Sequence, residues 1–163
     1  MIFAAILVGL GTFMAQLADR LTPVPAAASA SVATVDPPAS GRSLSIQTDR
    51  RGHFRAEGRI DGQRINFMVD TGASMVALNE TSAARFGLRP SRSDYTATVT
   101  TANGTVKGAR ARLAMVEVGE LIVRDVDALV LPDEALSENL LGLTFLSKLK
   151  RFAYANGQMV LEQ

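Results

Sequence analysis

The chain has 163 residues, enough for one sizeable core but not for a two-lobed enzyme. Seventeen Lys and Arg stand against sixteen Asp and Glu, spread along the chain rather than gathered into a basic stripe, so nucleic acid is not an expected partner. The absence of cysteine excludes a disulfide framework, a thiolate nucleophile and a Cys-rich zinc site, and a Ser-His-Asp triad would have to use the single histidine, His53. His53 follows Gly52 in an Arg-rich approach to the first strong strand signal and reads as a surface or strand-edge residue.

Residues 2–18, IFAAILVGLGTFMAQLA, carry no charge. As a helix this run would reach roughly 25 Å, slightly short of a bilayer's hydrocarbon core of about 30 Å. An uncleaved membrane anchor over residues 1–20 is the favoured expectation. A cleaved signal peptide, with small residues at Ala26, Ala28 and Ala30, and a buried N-terminal helix are the alternatives. From Leu21 to Ser43 the composition turns to Pro, Ala and Ser, with four of the six prolines, and predicts an extended spacer ahead of a domain over 44–163.

Within that domain Phe54, Ala56, Gly58 and Ile60 alternate with charged residues, Asp61-Gly62 signals a tight turn, and Ile65, Phe67 and Val69 alternate again, predicting a β-hairpin with one buried face. Its arginines read as the solvated face. Asn79-Glu80 has the character of a helix N-cap and first turn, and Gly87 that of its stop. Strands are expected over Tyr95–Thr101, Thr105–Val118, Leu121–Val126 and Ala128–Leu131, with a hairpin tip at Asn103-Gly104. A short helix over Leu143–Leu149 and a closing hairpin broken at Asn156-Gly157 complete the expected elements.

Asp70 stands out because it ends an apolar strand and is followed by Thr71, Gly72 and Ala73. A carboxylate at the end of a buried strand is costly unless it is hydrogen-bonded or functional. Asp-Thr-Gly is also good turn chemistry, so the tripeptide alone leaves a purely structural turn in contention.

Its setting, FMVDTGASMVAL followed much later by Leu140-Leu141-Gly142 and a short helix, resembles the retropepsin-like aspartic proteases over roughly Ser43–Gln163, and in particular their bacterial, membrane-anchored, single-domain branch. That resemblance implies an all-β closed barrel with a ψ-shaped loop and one or two short helices. It also implies that Asp70 is catalytic, that Thr71 braces a partner subunit's matching loop and that Gly72 permits close approach. Ala73, Leu140, Leu141 and Gly142 would support the site, and Ala102, Asn103 and Gly104 would tip a substrate-covering flap. The chain departs from retroviral members in lacking an arginine after Gly142, where Leu143-Thr144-Phe145-Leu146 follows, so dimer contacts of the retroviral type are not expected from the resemblance, while the chemistry it implies is unaffected.

Two carboxylates about 3 Å apart cannot both ionise at ordinary pH and share one proton. One then acts as general base on a water while the other, protonated, polarises the scissile carbonyl, with no cofactor or metal. One DTG in a chain this short implies that the second aspartate comes from another copy. The expectation is a homodimeric aspartic endopeptidase acting on peptides or proteins, held by its N-terminus in a bacterial inner membrane with the protease domain in the periplasm. The alternatives are a non-catalytic interaction module of the same fold and a membrane-anchored structural domain.

Overall fold

The computed structural model describes residues 41–101 and 104–163. The expected anchor over 1–20, nearly all of the spacer, and the hairpin-tip residues Ala102 and Asn103 lie outside them. Among the described residues, no helix is long and apolar enough to cross a membrane.

The first hairpin forms where alternation and the Asp61-Gly62 turn place it. Strands β2 (Arg55–Ile60) and β3 (Gln63–Val69) pair antiparallel, with Gly58, Ile60, Ile65, Phe67 and Val69 turned inward. Strand β4 (Val76–Asn79) runs directly into helix α1 (Glu80–Arg85), whose start is fixed because the Asn79 side chain accepts from the Ser82 N–H at 2.8 Å. The chain then forms β5 (Ala97–Thr101), β6 (Gly104–Val118) and β7 (Leu121–Leu131), followed by β8 (Leu140–Leu141), helix α2 (Leu143–Leu146), β9 (Arg151–Ala155) and β10 (Gln158–Glu162). An additional strand, β1 (Ser43–Gln47), lies where the spacer was expected to end.

Among the described residues the strands form two sheets. One runs β2-β3-β8-β4-β7-β6-β5, and a β2–β6 pairing closes its first six strands into a barrel; the other runs β1-β10-β9. Closure brings β2 against β6 at Gly58, where a Cβ would stand 2.6 Å from the Glu117 carbonyl oxygen. The fold is therefore the expected all-β closed barrel with two short helices. The expected break between Leu121–Val126 and Ala128–Leu131 does not end a strand. Instead β7 continues through Asp125, held at φ +56°, and the register passes from Leu113↔Val126 to Met115↔Arg124. The second helix is shorter than expected, ending at Leu146, and β5 starts at Ala97 after a 3-10 turn over Arg92–Asp94.

The feature that positions the site is the placement of β8. It lies between β3 and β4, parallel to β3 through Met68↔Leu140 and Val69↔Leu141, and antiparallel to β4 through Ala77↔Leu140. The chain therefore leaves β3, turns through residues 70–75, and returns as β4 on the far side of a strand from much later in the sequence, which is the ψ-shaped crossing. Gly142 sits where the two segments touch: a Cβ there would lie 2.2 Å from the Met75 carbonyl oxygen and 2.6 Å from that of Ala73. Both neighbours are backbone, so neither can swing away. Just beyond the glycine, the Leu143 N–H donates to the Ala73 carbonyl at 2.8 Å.

Side chains brace the same crossing. The Thr144 hydroxyl accepts from the Val76 N–H at 2.9 Å and donates to the Asp127 carbonyl at 2.7 Å, joining α2 to β4 and β7. Asn139 accepts from the Asn79 N–H through its side chain and from the Met68 N–H through its carbonyl, and it donates to the Ser82 hydroxyl. Below lies one apolar core that includes Phe67, Leu78, Leu113, Leu141, Phe145 and Leu161, all essentially inaccessible.

Overpacking a tight site costs about 1–3 kcal/mol when side chains can shift. Gly142→Ala drives a methyl group into backbone, so its cost is expected at or above the upper end of that range. A urea unfolding series checks this: the midpoint should fall markedly, whereas Gly62→Ala, which meets nothing within 4 Å, should cost only the strain of its φ of +83°.

Candidate active site

Asp70 follows the last residue of β3 and is half-buried at the mouth of the crossing. Its backbone is fixed because its N–H donates to the Leu141 carbonyl at 3.2 Å and its carbonyl accepts from the Ala73 N–H at 3.3 Å. The side chain is aimed by the Gly72 N–H, which donates to Oδ1 at 2.8 Å. A Cβ at Gly72 would stand 3.2 Å from that same oxygen, so glycine leaves the carboxylate room. The carboxylate thus sits on a short loop held at both ends by main chain, with Oδ2 left for other work. Such a loop positions a reacting group better than a free one.

The remaining residues expected at the site fall around it. Leu140 and Leu141 form β8, Gly142 packs on the carbonyls of Ala73 and Met75, and Ala73 is the hinge that both Asp70 and Leu143 bond. Thr71 and Gly72 are exposed, and the Thr71 hydroxyl has no hydrogen-bond partner among the described residues. Where a flap was expected, Thr101 pairs with Gly104 and donates its hydroxyl to the Gly104 carbonyl at 2.9 Å, so β5 and β6 form a hairpin. Ala102 and Asn103 lie outside the described residues.

A cleft of about 960 Å³ opens beside Asp70. Its floor is a small apolar cluster separate from the main core, made of Ala77, Leu129 and Leu131 with Met75, Val99, Leu136 and Leu140 packed on it. Thr98, Thr100 and Thr101 of β5 line one side of the same cleft. An apolar floor with a convergent carboxylate has the chemistry to take an extended peptide whose side chains point alternately down and up.

The opposite rim comes from residues that pattern reading did not single out. Asp49 closes the turn over 49–53: its Oδ1 accepts from the N–H groups of Arg51 and His53 at 2.8 and 2.9 Å. Its Oδ2 accepts from Arg55 Nε at 2.8 Å, and Arg55 Nη2 reaches Glu138 Oε1 at 2.6 Å. The His53 hydrogen bond, with the Arg55 guanidinium behind it, holds the Asp49 carboxyl well below the usual carboxylate range. Arg55 therefore ties the turn carrying Arg51 and His53 to the loop carrying Glu138, and both segments line the cleft. Asp49-Arg50-Arg51-Gly52 has the make-up of an Asx turn, a signal available in the sequence. The link to Glu138, 83 residues away, is not. Among the described residues no cluster of His, Asp and Glu could hold a metal ion.

Comparison with known proteins places this geometry. Residues 56–148 match the family described as "gag-polyprotein putative aspartyl protease", a span from the first barrel strand through α2. An uncharacterised protein encoded in the cobV 5′ region of a Sinorhizobium species is 36% identical over 109 residues, covering 67% of this chain and 47% of that protein. The uncharacterised protein RP867 of Rickettsia prowazekii (strain Madrid E) is 34% identical over 110 residues, covering 68% of this chain and 47% of its own length. The chain thus spans about half the length of the curated relatives it matches. The crystal structure of a retropepsin-like aspartic protease from Rickettsia conorii superposes with a TM-score of 0.66 at 33% identity, covering 75% of this chain and 91% of that one. The ψ crossing, the aspartate at its mouth and these matches agree: the chain belongs to the retropepsin-like aspartic protease family.

Proposed function

We propose that this protein is an aspartic endopeptidase whose reacting pair consists of two Asp70 carboxylates, one from each subunit of a homodimer. The observation that carries the reading is Asp70 itself. It is a half-buried carboxylate, aimed by the Gly72 amide into a large apolar-floored cleft, whereas the other carboxylate lining that cleft, Glu138, is engaged by Arg55 at 2.6 Å.

A water held between two such carboxylates is the nucleophile. The ionised member takes its proton as the water oxygen attacks the scissile carbonyl carbon, and the protonated member donates a hydrogen bond to the carbonyl oxygen as charge develops there. The tetrahedral intermediate collapses when the leaving nitrogen is protonated and the C–N bond breaks, so no acyl-enzyme forms. The shared proton belongs to the pair, and its apparent pKa values do too. The flap hairpin over β5 and β6 is suited to cover a bound peptide and exclude bulk water, strengthening each polar contact beneath it.

The rest of the reading concerns place. Residues 2–18 are uncharged, and the Pro-rich spacer that follows is long enough to hold a domain clear of a bilayer, which supports a membrane-anchored protease with its barrel on the periplasmic side of a bacterial inner membrane.

Asp70→Asn is nearly isosteric and keeps an acceptor for the Gly72 amide, so the folded protein should survive while peptide cleavage is lost. Assayed on a mixed peptide library from acid to neutral pH, turnover above a few per cent of the parent rate would remove Asp70 from the mechanism. Full-length protein should also stay with the membrane fraction after a high-salt wash. Release by salt, or a mature N-terminus between Ala27 and Ser31, would contradict the anchor.

A further inference from the structure

The floor of the cleft can be followed from strand to strand. Register aligns Leu140 of β8 with Ala77 of β4, Ala77 with Leu129 of β7, and Leu129 with Arg110 of β6. Residues paired in this way share a face of the sheet, so the row is apolar on three strands and ends in a guanidinium on the fourth. Arg110 is exposed and lines the cleft.

An arginine on an open sheet face is usually solvated cover, and here it is usually answered by a carboxylate. Arg112, two residues along β6 on the same face, meets Asp127 at 3.3 Å and Asp125 at 3.5 Å. Arg59 and Arg64 of the first hairpin meet Glu117 and Glu57. Arg110 differs: its cross-strand neighbour is a leucine, and its side chain has no hydrogen-bond or ion-pair partner among the described residues. The carboxylates of the cleft do not answer it either. Glu138 is engaged by Arg55 at 2.6 Å, and Asp70 accepts from the Gly72 amide at 2.8 Å. The cleft therefore presents a fork of N–H donors, at the end of an apolar floor, with nothing of its own to bind.

The position of that fork relative to Asp70 follows from sheet geometry. Adjacent strands lie about 4.8 Å apart, so the three steps from Leu140 to Arg110 span roughly 14 Å. Leu140 directly precedes Leu141, whose carbonyl fixes the Asp70 amide. An extended peptide advances about 3.4 Å per residue, and the arginine side chain reaches part of the way back, so the peptide residue that meets Arg110 stands about two to four residues from the bond over Asp70.

Resting on the peptidase reading above, we propose that Arg110 is a specificity-determining residue that takes the carboxylate of a glutamate or aspartate side chain in the substrate. A planar guanidinium meets a carboxylate through two parallel N–H···O bonds, a fit that a neutral side chain does not reproduce. The floor selects apolar residues and Arg110 selects one acidic residue beyond them, so the substrates are apolar segments flanked by an acid.

Binding tests this apart from turnover. Full-length Asp70→Asn protein in detergent is titrated with labelled, otherwise uncharged decapeptides that are apolar at alternate positions and carry one Glu, Gln or Lys scanned along the chain, with fluorescence anisotropy as the readout. An exposed ion pair adds a few-fold in affinity and a bidentate pair partly covered by peptide adds more, so at one position Glu should bind about five- to tenfold tighter than Gln, with Lys weakest. The preference should vanish in Arg110→Gln, turn toward Lys in Arg110→Glu, and persist in Arg112→Gln, each with an unchanged circular dichroism spectrum. Equal binding of Glu and Gln peptides at every position, a Glu preference that survives Arg110→Gln, or no binding of any of these peptides would overturn the assignment. Cleavage by the parent protein is read separately: turnover without a Glu preference counts against Arg110 alone, and Glu-selective binding without turnover counts against the peptidase reading alone.

Discussion

The contact between Gly142 and the carbonyls of Ala73 and Met75 is the constraint on which the rest of the structure depends. Only a residue without a side chain can pass 2.2 Å, measured from the position its Cβ would take, from a main-chain oxygen. That passage lets β8 lie between β3 and β4, and β8 in turn supplies the Leu141 carbonyl that fixes the Asp70 amide. The barrel serves this crossing. Its closure at Gly58 and its apolar filling hold β3 and β4 far enough apart for one extra strand, and Thr144 and Asn139 bond the seams where backbone groups would otherwise be left unpaired.

Around that rigid centre the cleft is assembled from less regular pieces. Its floor is mostly strand, one wall is the β5–β6 hairpin, and its opposite rim is a five-residue turn tied through Arg55 to the loop before β8. Exposed ion pairs contribute little to stability on average. The value of the Asp49–Arg55–Glu138 chain is in geometry: it joins two loops that no strand connects and so sets the width of the site. On the proposed function, a reacting carboxylate on fixed backbone between walls built from loops and a hairpin suits the admission of a peptide chain.

Most of the barrel was legible because it is built from local rules. Alternation and Asp61-Gly62 gave the first hairpin, Asn79 capped α1 as its chemistry demands, and Asn156-Gly157 marked the final turn. Asp70 was legible only through its setting, since the strand before it and Leu140-Leu141-Gly142 seventy residues later had to be read together. Other features were not accessible to pattern. A strand of two residues, β8, carries no periodicity, and Asp125 adopts a positive φ inside a strand where composition suggests a break near Asp127. Strand β1 alternates Ser, Leu, Ser, Ile and Gln, but it adjoins a spacer of similar polarity and is fixed by pairing with β10 more than a hundred residues away. The role of Arg55 depends on contacts to both sides of the cleft and looks locally like any arginine on a solvated face.

The central claim is that each active site needs an Asp70 from two chains, and subunit mixing measures that directly. Active and Asp70→Asn proteins are combined at constant total concentration, allowed to exchange, and assayed for peptide cleavage across the full range of mixing ratios. If both carboxylates are required, only dimers of two active chains turn over, and specific activity falls as the square of the active fraction. A strictly linear decline would show that one Asp70 is enough and would contradict the account.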